Sequence, residues 1–239
     1  MKALMKLSAV ACLLVGLTAC QPATDETTTT SPARDMAATE TAPAQVEYSF
    51  VKGKDYEVLE KTITTSYFDK PIGARGYVME FLWPGCPHCQ HLNPTINAFA
   101  LEFPDVAVIK RAAPATERWA YDARIFFALR GIAGTNLDDE LIEYYQRIAE
   151  NQKRLPTPED IQFFLQEYQV SPSDFAEAMN DPTLTAKLRI VLEDMKRADL
   201  SKVPMLVVNG KYVVTAPAPH DPQDAQRYFA LLNYLVDLG

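Results

Sequence analysis

Cysteine is scarce: 239 residues hold four, and two of these, Cys12 and Cys20, fall at the very start of the chain. Only Cys86 and Cys89 are left for a folded domain, and a bridge between them closes too short a loop to restrain the unfolded chain much. A disulfide-stapled secreted scaffold, which spreads several pairs along its length, is thereby excluded. Basic clusters are missing as well. Lys and Arg number 23 against 31 Asp and Glu, a formal charge of −8, which argues against a nucleic-acid partner. There is no internal repeat, and beyond the N-terminus no hydrophobic run long enough to span a bilayer.

What is present begins with "MKALMKLSAVACLLVGLTAC". Lys2 and Lys6 form a short basic region, and residues 7–17 are apolar but too few to cross a membrane comfortably, the pattern of an export signal. Leu17-Thr18-Ala19-Cys20 resembles a bacterial lipobox. Cleavage there would remove residues 1–19 and leave Cys20 as a lipid-bearing N-terminus. The plain alternative is an ordinary signal peptide with an incidental cysteine. The leader holds two lysines and no acid, so its removal takes the charge nearer −10. The following stretch, to residue 45, is rich in Thr, Ala and Pro and lacks aromatics. It cannot bury enough apolar area to offset its ordering entropy and is expected to be a disordered tether. Gln21 after the cysteine, by analogy with enteric lipoproteins, favours the outer membrane.

Residues 46–239 suit one domain, or one domain carrying an insertion. "YEVLEKTIT" (56–64) and the nearly all-apolar "GYVMEFLW" (76–83) predict strands, the second buried on both faces. A helix is expected from Cys86 toward Phe103, and "DVAVIKR" (105–111) predicts a third strand. From about 115 to 200 the pattern is helical throughout, with Gly131 as a stop and Thr-Pro and Ser-Pro starts. Its last helix, "DPTLTAKLRIVLEDMKRADL", is expected to be the longest. "VPMLVVNGKYVVT" predicts a hairpin turning at Asn209-Gly210, and residues 224–238 a closing helix. The chain therefore divides into 46–114 and 201–239, which form an α/β frame, around an inserted all-helical domain, 115–200.

The chemistry is concentrated in "FLWPGCPHCQHLNP" (81–94). With Cys86 as N-cap and Pro87 at the first helical position, where a missing N–H is no loss, Cys89 sits on the same face within bonding reach. The free N–H groups of the first turn and the positive end of the helix dipole point at Cys86, so its thiolate is favoured and its pKa should fall. Cys89, one turn inside, should be less exposed and act as the resolving thiol. His88 adds a polar side chain able to carry positive charge beside Cys86, which favours the reduced form and makes the disulfide a stronger oxidant. Cys86, His88, Cys89 and His91 lie too close along one helix start to surround zinc tetrahedrally. A purely structural cysteine pair is disfavoured by the short loop, and His91 reads as a surface residue. Glu80, alone within "YVMEFLW", is either buried or outward on a partly solvated strand. Burial would raise its pKa and let it shuttle protons with Cys89.

The Cys86-Pro87-His88-Cys89 motif, opening a helix straight after a buried strand, resembles the active site of the DsbA type within the thioredoxin superfamily. Val203-Pro204 before the late hairpin matches that family's cis-proline and the residue ahead of it, whose backbone pairs with the substrate. Glu80 matches the acid beneath its disulfide, Pro94 lies where many thioredoxins kink the helix, and the helical block sits where the DsbA family inserts one. The resemblance spans essentially the whole globular part. It implies a thioredoxin fold, a central mixed sheet flanked by helices with an inserted all-helical domain. It implies site residues Cys86, Cys89, His88, Pro204 and Glu80, with Val203 and Pro87 meeting substrate. Two departures stand out: "WPG" precedes the motif where enteric members are more aromatic, and the basic residue that accompanies the acid in some members has no clear counterpart, Lys110 being near.

The implied function is a periplasmic, lipid-anchored thiol:disulfide oxidase acting on reduced exported proteins. Reoxidation would come from a DsbB-type membrane quinone reductase, and no metal or organic cofactor is implied. The rival is a disulfide isomerase or reductase of the DsbC/DsbG or thioredoxin type. The Thr/Pro tether, standing where DsbC and DsbG carry a dimerisation domain, points to a monomer and so to oxidation. A surface lipoprotein that merely binds unfolded chains would leave the intact motif without a use.

Overall fold

The computed structural model describes residues 47–65, 72–132 and 134–239; the leader, Cys20 and the tether lie outside the described residues. The apolar run after Gly76 becomes β2 (Gly76–Leu82), which pairs in parallel with β3 (Val106–Ala112) and antiparallel with β4 (Met205–Val208). β4 continues antiparallel into β5 (Tyr212–Val214), and β5 into β1 (Tyr56–Val58), giving one five-stranded sheet in the order β1-β5-β4-β2-β3. This is the mixed thioredoxin-type sheet that the motif resemblance implies, closed by the late hairpin. Asn209 (φ 48°) and Gly210 (φ 65°) make its turn. Glycine is required there twice over, since an added Cβ would also lie 1.8 Å from the Ile63 carbonyl oxygen. β1 stops at Val58, well short of residue 64. Beyond it the backbone touches the hairpin only at single bonds, Leu59 N–H to the Lys211 carbonyl and Ile63 N–H to that of Gly210, while Glu60, Lys61 and Thr62 face solvent.

Alternation along the strands sorts two apolar clusters. Val78, Leu206, Val208, Tyr212 and Val214 face α1 (Pro87–Glu102) and the closing helix α7 (Pro222–Asp237). Met79, Phe81, Ile109, Val207 and Val213 face the helices inserted between β3 and β4. These are α2 (Glu117–Gly131), α3 (Asp138–Gln152), α4 (Pro158–Glu167), α5 (Pro172–Asn180) and α6 (Pro182–Arg197). Two starts, Thr157-Pro158 and Ser171-Pro172, are the Thr-Pro and Ser-Pro signals of the sequence, whereas α3 follows Leu137 with no side-chain cap. Thr116, Ser171 and Asp181 accept first-turn N–H groups, and Thr157 with Asp160 forms a full capping box. Three boundaries differ from the sequence reading. α7 begins at Pro222, capped by Asp221. α2 is capped by Ile132 in extended geometry, so Gly131 is simply its last residue. α6, at 16 residues, is no longer than α1 or α7, because its chain turns through a left-handed Asp199 (φ 53°).

Candidate active site

Cys86 is the N-cap of α1 and Pro87 its first helical residue, as the motif predicts. The approach to the helix is fixed by short-range bonds: Cys86 N–H to the Trp83 carbonyl at 2.9 Å, and the buried Gln90 amide to the Pro84 carbonyl at 2.7 Å. Gly85 fits because any Cβ would strike the Trp83 ring at 2.6 Å. That ring stacks on Trp119 with centroids 4.9 Å apart, so the "WPG" departure puts a tryptophan pair close to the motif.

The two cysteines are free thiols with different surroundings: Cys86 is 8% exposed and Cys89 1%. Hydrogen bonding from the Cys89 thiol, joined by the Cys89 and His88 backbone N–H groups and the His88 charge, outweighs burial and brings the Cys86 pKa down to about 6. Burial, together with the hydrogen bond and charge of Cys86, pushes the Cys89 thiol strongly upward. One sulfur is thus a ready nucleophile and leaving group near neutral pH, while the other holds its proton tightly.

Across from the pair, the Val203–Pro204 peptide bond is cis, and the Cys86 Sγ lies 3.6 Å from the Val203 carbonyl oxygen. Val203, Pro204 and Met205 are partly exposed there, beside exposed Pro87 and His88. An extended polypeptide could lie along this backbone with a sulfur near Cys86. His91 is exposed, its Nε2 3.3 Å from the Pro219 carbonyl and its ring 5.9 Å from that of His220.

Beneath the pair lies Glu80, 0% exposed, with neither carboxylate oxygen hydrogen-bonded among the described residues. Its burial raises its pKa to about 7 against the pull of Lys110. Such a group is poised to exchange a proton at physiological pH, and its charge is felt by Cys89.

Sequence reasoning missed what surrounds this acid. Lys110 stands directly opposite Glu80 in the β2–β3 register, and its ammonium is held by Asn93 and Asn97 of α1 and Asp139 of α3. Lys110, which the sequence places only as near, is thus the basic residue beside the acid in the sheet, and aligning "VMEF" with "VIKR" in a parallel pair would have shown it. The neighbouring Arg111 points to the opposite face, where Asp194 of α6 accepts from it at 2.6 Å.

No protein-family model matches the chain. The thiol:disulfide interchange protein DsbA of Burkholderia cepacia is 29% identical over 167 residues, covering 70% of this chain and 76% of that protein. The DsbA of Pseudomonas syringae pv. tomato is 27% identical over 172 residues, with 71% and 76% covered. Among solved structures, the crystal structure of Pseudomonas aeruginosa DsbA superposes with a TM-score of 0.63 at 26% identity, spanning 79% of this chain and 94% of the other.

Proposed function

We propose that this chain, a thiol:disulfide oxidoreductase of the DsbA type, works in the periplasm as an oxidase that donates the Cys86–Cys89 disulfide to reduced exported proteins. The observation that carries this is the asymmetry of the pair. Cys86 is stabilised as thiolate at the start of α1 and faces the Val203 carbonyl, whereas Cys89 is sealed beneath it as a thiol.

A substrate thiolate attacks the Cys86 sulfur, the Cys86–Cys89 bond breaks, and Cys89 leaves with the electron pair and takes up a proton. Glu80, protonated until about pH 7, is the donor in reach of that charge. A second substrate thiolate then attacks the substrate sulfur of the mixed disulfide and expels Cys86 as a thiolate. The substrate has lost two electrons and the enzyme has gained them. His88 and the first-turn N–H groups stabilise the expelled thiolate. Val203 and Pro204 present the backbone along which the substrate lies, and exposed Pro87 borders it.

The lipid on Cys20, a tether over residues 20–45, a DsbB-type reoxidant and a monomeric state complete the reading. The sequence signals at the N-terminus and the DsbA likeness support them. Equilibrating the pair against a glutathione buffer tests the oxidase function. A potential toward the oxidising end, where DsbA lies at about −120 mV, is expected; one near the roughly −270 mV of thioredoxin would make the protein a reductase. Cys86→Ser should abolish oxidation of a reduced peptide.

A further inference from the structure

The buried acid and the lysine opposite it are neighbours that do not bond. A lysine ammonium has three hydrogens to donate. On Lys110 they meet three acceptors: Asn93 Oδ1 at 2.6 Å, Asn97 Oδ1 at 2.9 Å, and Asp139 Oδ1. None is left for Glu80, whose two oxygens have no hydrogen-bond partner among the described residues. Yet the register places the two side chains side by side on one face of the sheet. Two of the three acceptors come from α1, the helix that carries the cysteines. The third, and the only charged one, comes from the inserted helices. A cleft of about 390 Å3, lined by Asn97, Lys110, Asp138 and Asp139 among others, opens at this point.

We propose that Asp139 is a positioning residue for thiol exchange: by neutralising and anchoring Lys110 from the inserted helices, it withholds that lysine's charge from Glu80 and keeps the acid able to hold a proton for Cys89. The proposal rests on the proton-relay role given to Glu80 above and extends it to a residue far away in sequence. The groups facing Glu80 are few. Lys110 on β3 favours its ionised form, while Asp138 and Asp139 at the start of α3 oppose ionisation. Cys89 on α1 and Tyr228 on α7 both respond to its charge, and the register partner on β4 is apolar Leu206. Asp138 is already engaged by Arg130, so the balance at Lys110 turns on Asp139.

The test is a carboxyl-carbon NMR titration of Glu80 in the full chain, with the signal assigned by its loss in Glu80→Gln. Asp139→Asn keeps an acceptor for Lys110 but removes the charge, and should lower the Glu80 midpoint by about one pH unit, a roughly tenfold loss of proton affinity. Asp139→Glu should restore it, and Lys110→Met, an independent variant, should move it upward. A Glu80 midpoint that stays put in Asp139→Asn, in protein whose Cys86 still alkylates normally, overturns the proposal whether Lys110→Met moves it or not and whether or not the protein oxidises peptides. A potential close to thioredoxin's, with the midpoint moving as described, would instead overturn the oxidase reading and leave the Asp139 assignment standing.

Discussion

Glu80 in the sheet and Asp122 in the first inserted helix are equally hidden, each 0% exposed, and their surroundings could hardly differ more. Asp122 accepts from Trp83 Nε1, from Arg118 Nε and from the Tyr145 hydroxyl, all at 2.8 Å. Among the described residues Glu80 accepts from nothing. A buried carboxyl surrounded by donors can tie elements together, and Asp122 joins the segment between β2 and α1 to α2 and α3. A buried carboxyl without donors is held toward its neutral form. Burial alone therefore says little about an acid's role; the number of donors aimed at it says much more.

The largest effect should come from the well-satisfied member. Asp122→Ala strands the Trp83 N–H and the Tyr145 hydroxyl and leaves Arg118 without its anion, so a loss of about 3 to 5 kcal/mol is expected in urea unfolding. Because Trp83 stacks on Trp119, the same variant should also change the tryptophan fluorescence of the folded protein. A loss below about 1 kcal/mol would remove the contrast between the two acids, since Asp122 would then behave like a surface residue.

Next comes Glu80, whose effect has the opposite sign and depends on pH. The folded protein keeps this proton up to about pH 7, whereas the unfolded chain releases it near the ordinary value of 4.5. Between those two pH values the native state binds the extra proton, so stability falls as pH rises through the window and stays lower above it. The fall should be about 3 kcal/mol, and it should be absent from Glu80→Gln. Measuring unfolding of the oxidised protein keeps the cysteines from titrating. A wild-type profile that is flat from pH 4.5 to 8 would mean that Glu80 is not held neutral.

How much of this could be read beforehand follows from how local each feature is. The helix start at Cys86, the Asn209-Gly210 turn, the capped helix starts and the deep position of Cys89 are set within a few residues, and the structure has them where the sequence indicates. Glu80 was legible as a choice between two states because an acid in an apolar run has few options. Lys110, Asn93, Asn97 and Asp139 were not legible as a set. They come from β3, α1 and α3, and only strand register and the packing of α3 against α1 bring them together. The short β1 escaped for a related reason: residues 59–63 alternate like a strand, but they run past a turn and, among the described residues, make two separate backbone bonds to it rather than a ladder.

Cys86 supplies the third ionisable group and the smallest expected effect. It is largely buried, and its charged form is the favoured one, through the Cys89 thiol first and the first-turn N–H groups after it, with the His88 charge a lesser contribution. Its thiolate is therefore present above about pH 6 and lost as pH falls through that value. Following iodoacetamide alkylation of the reduced protein against pH should give a midpoint near 6 for Cys86, with Cys89 unreactive. Cys89→Ala should raise that midpoint by about one unit, and His88→Ala by only a few tenths, roughly 0.5 kcal/mol. The order matters more than the sizes. If His88→Ala moved the midpoint further than Cys89→Ala, the thiolate would be held by the histidine charge rather than by hydrogen bonds. Cys86 would then differ from Asp122, which is surrounded by donors, and the rule drawn from the two acids would not extend to the thiol.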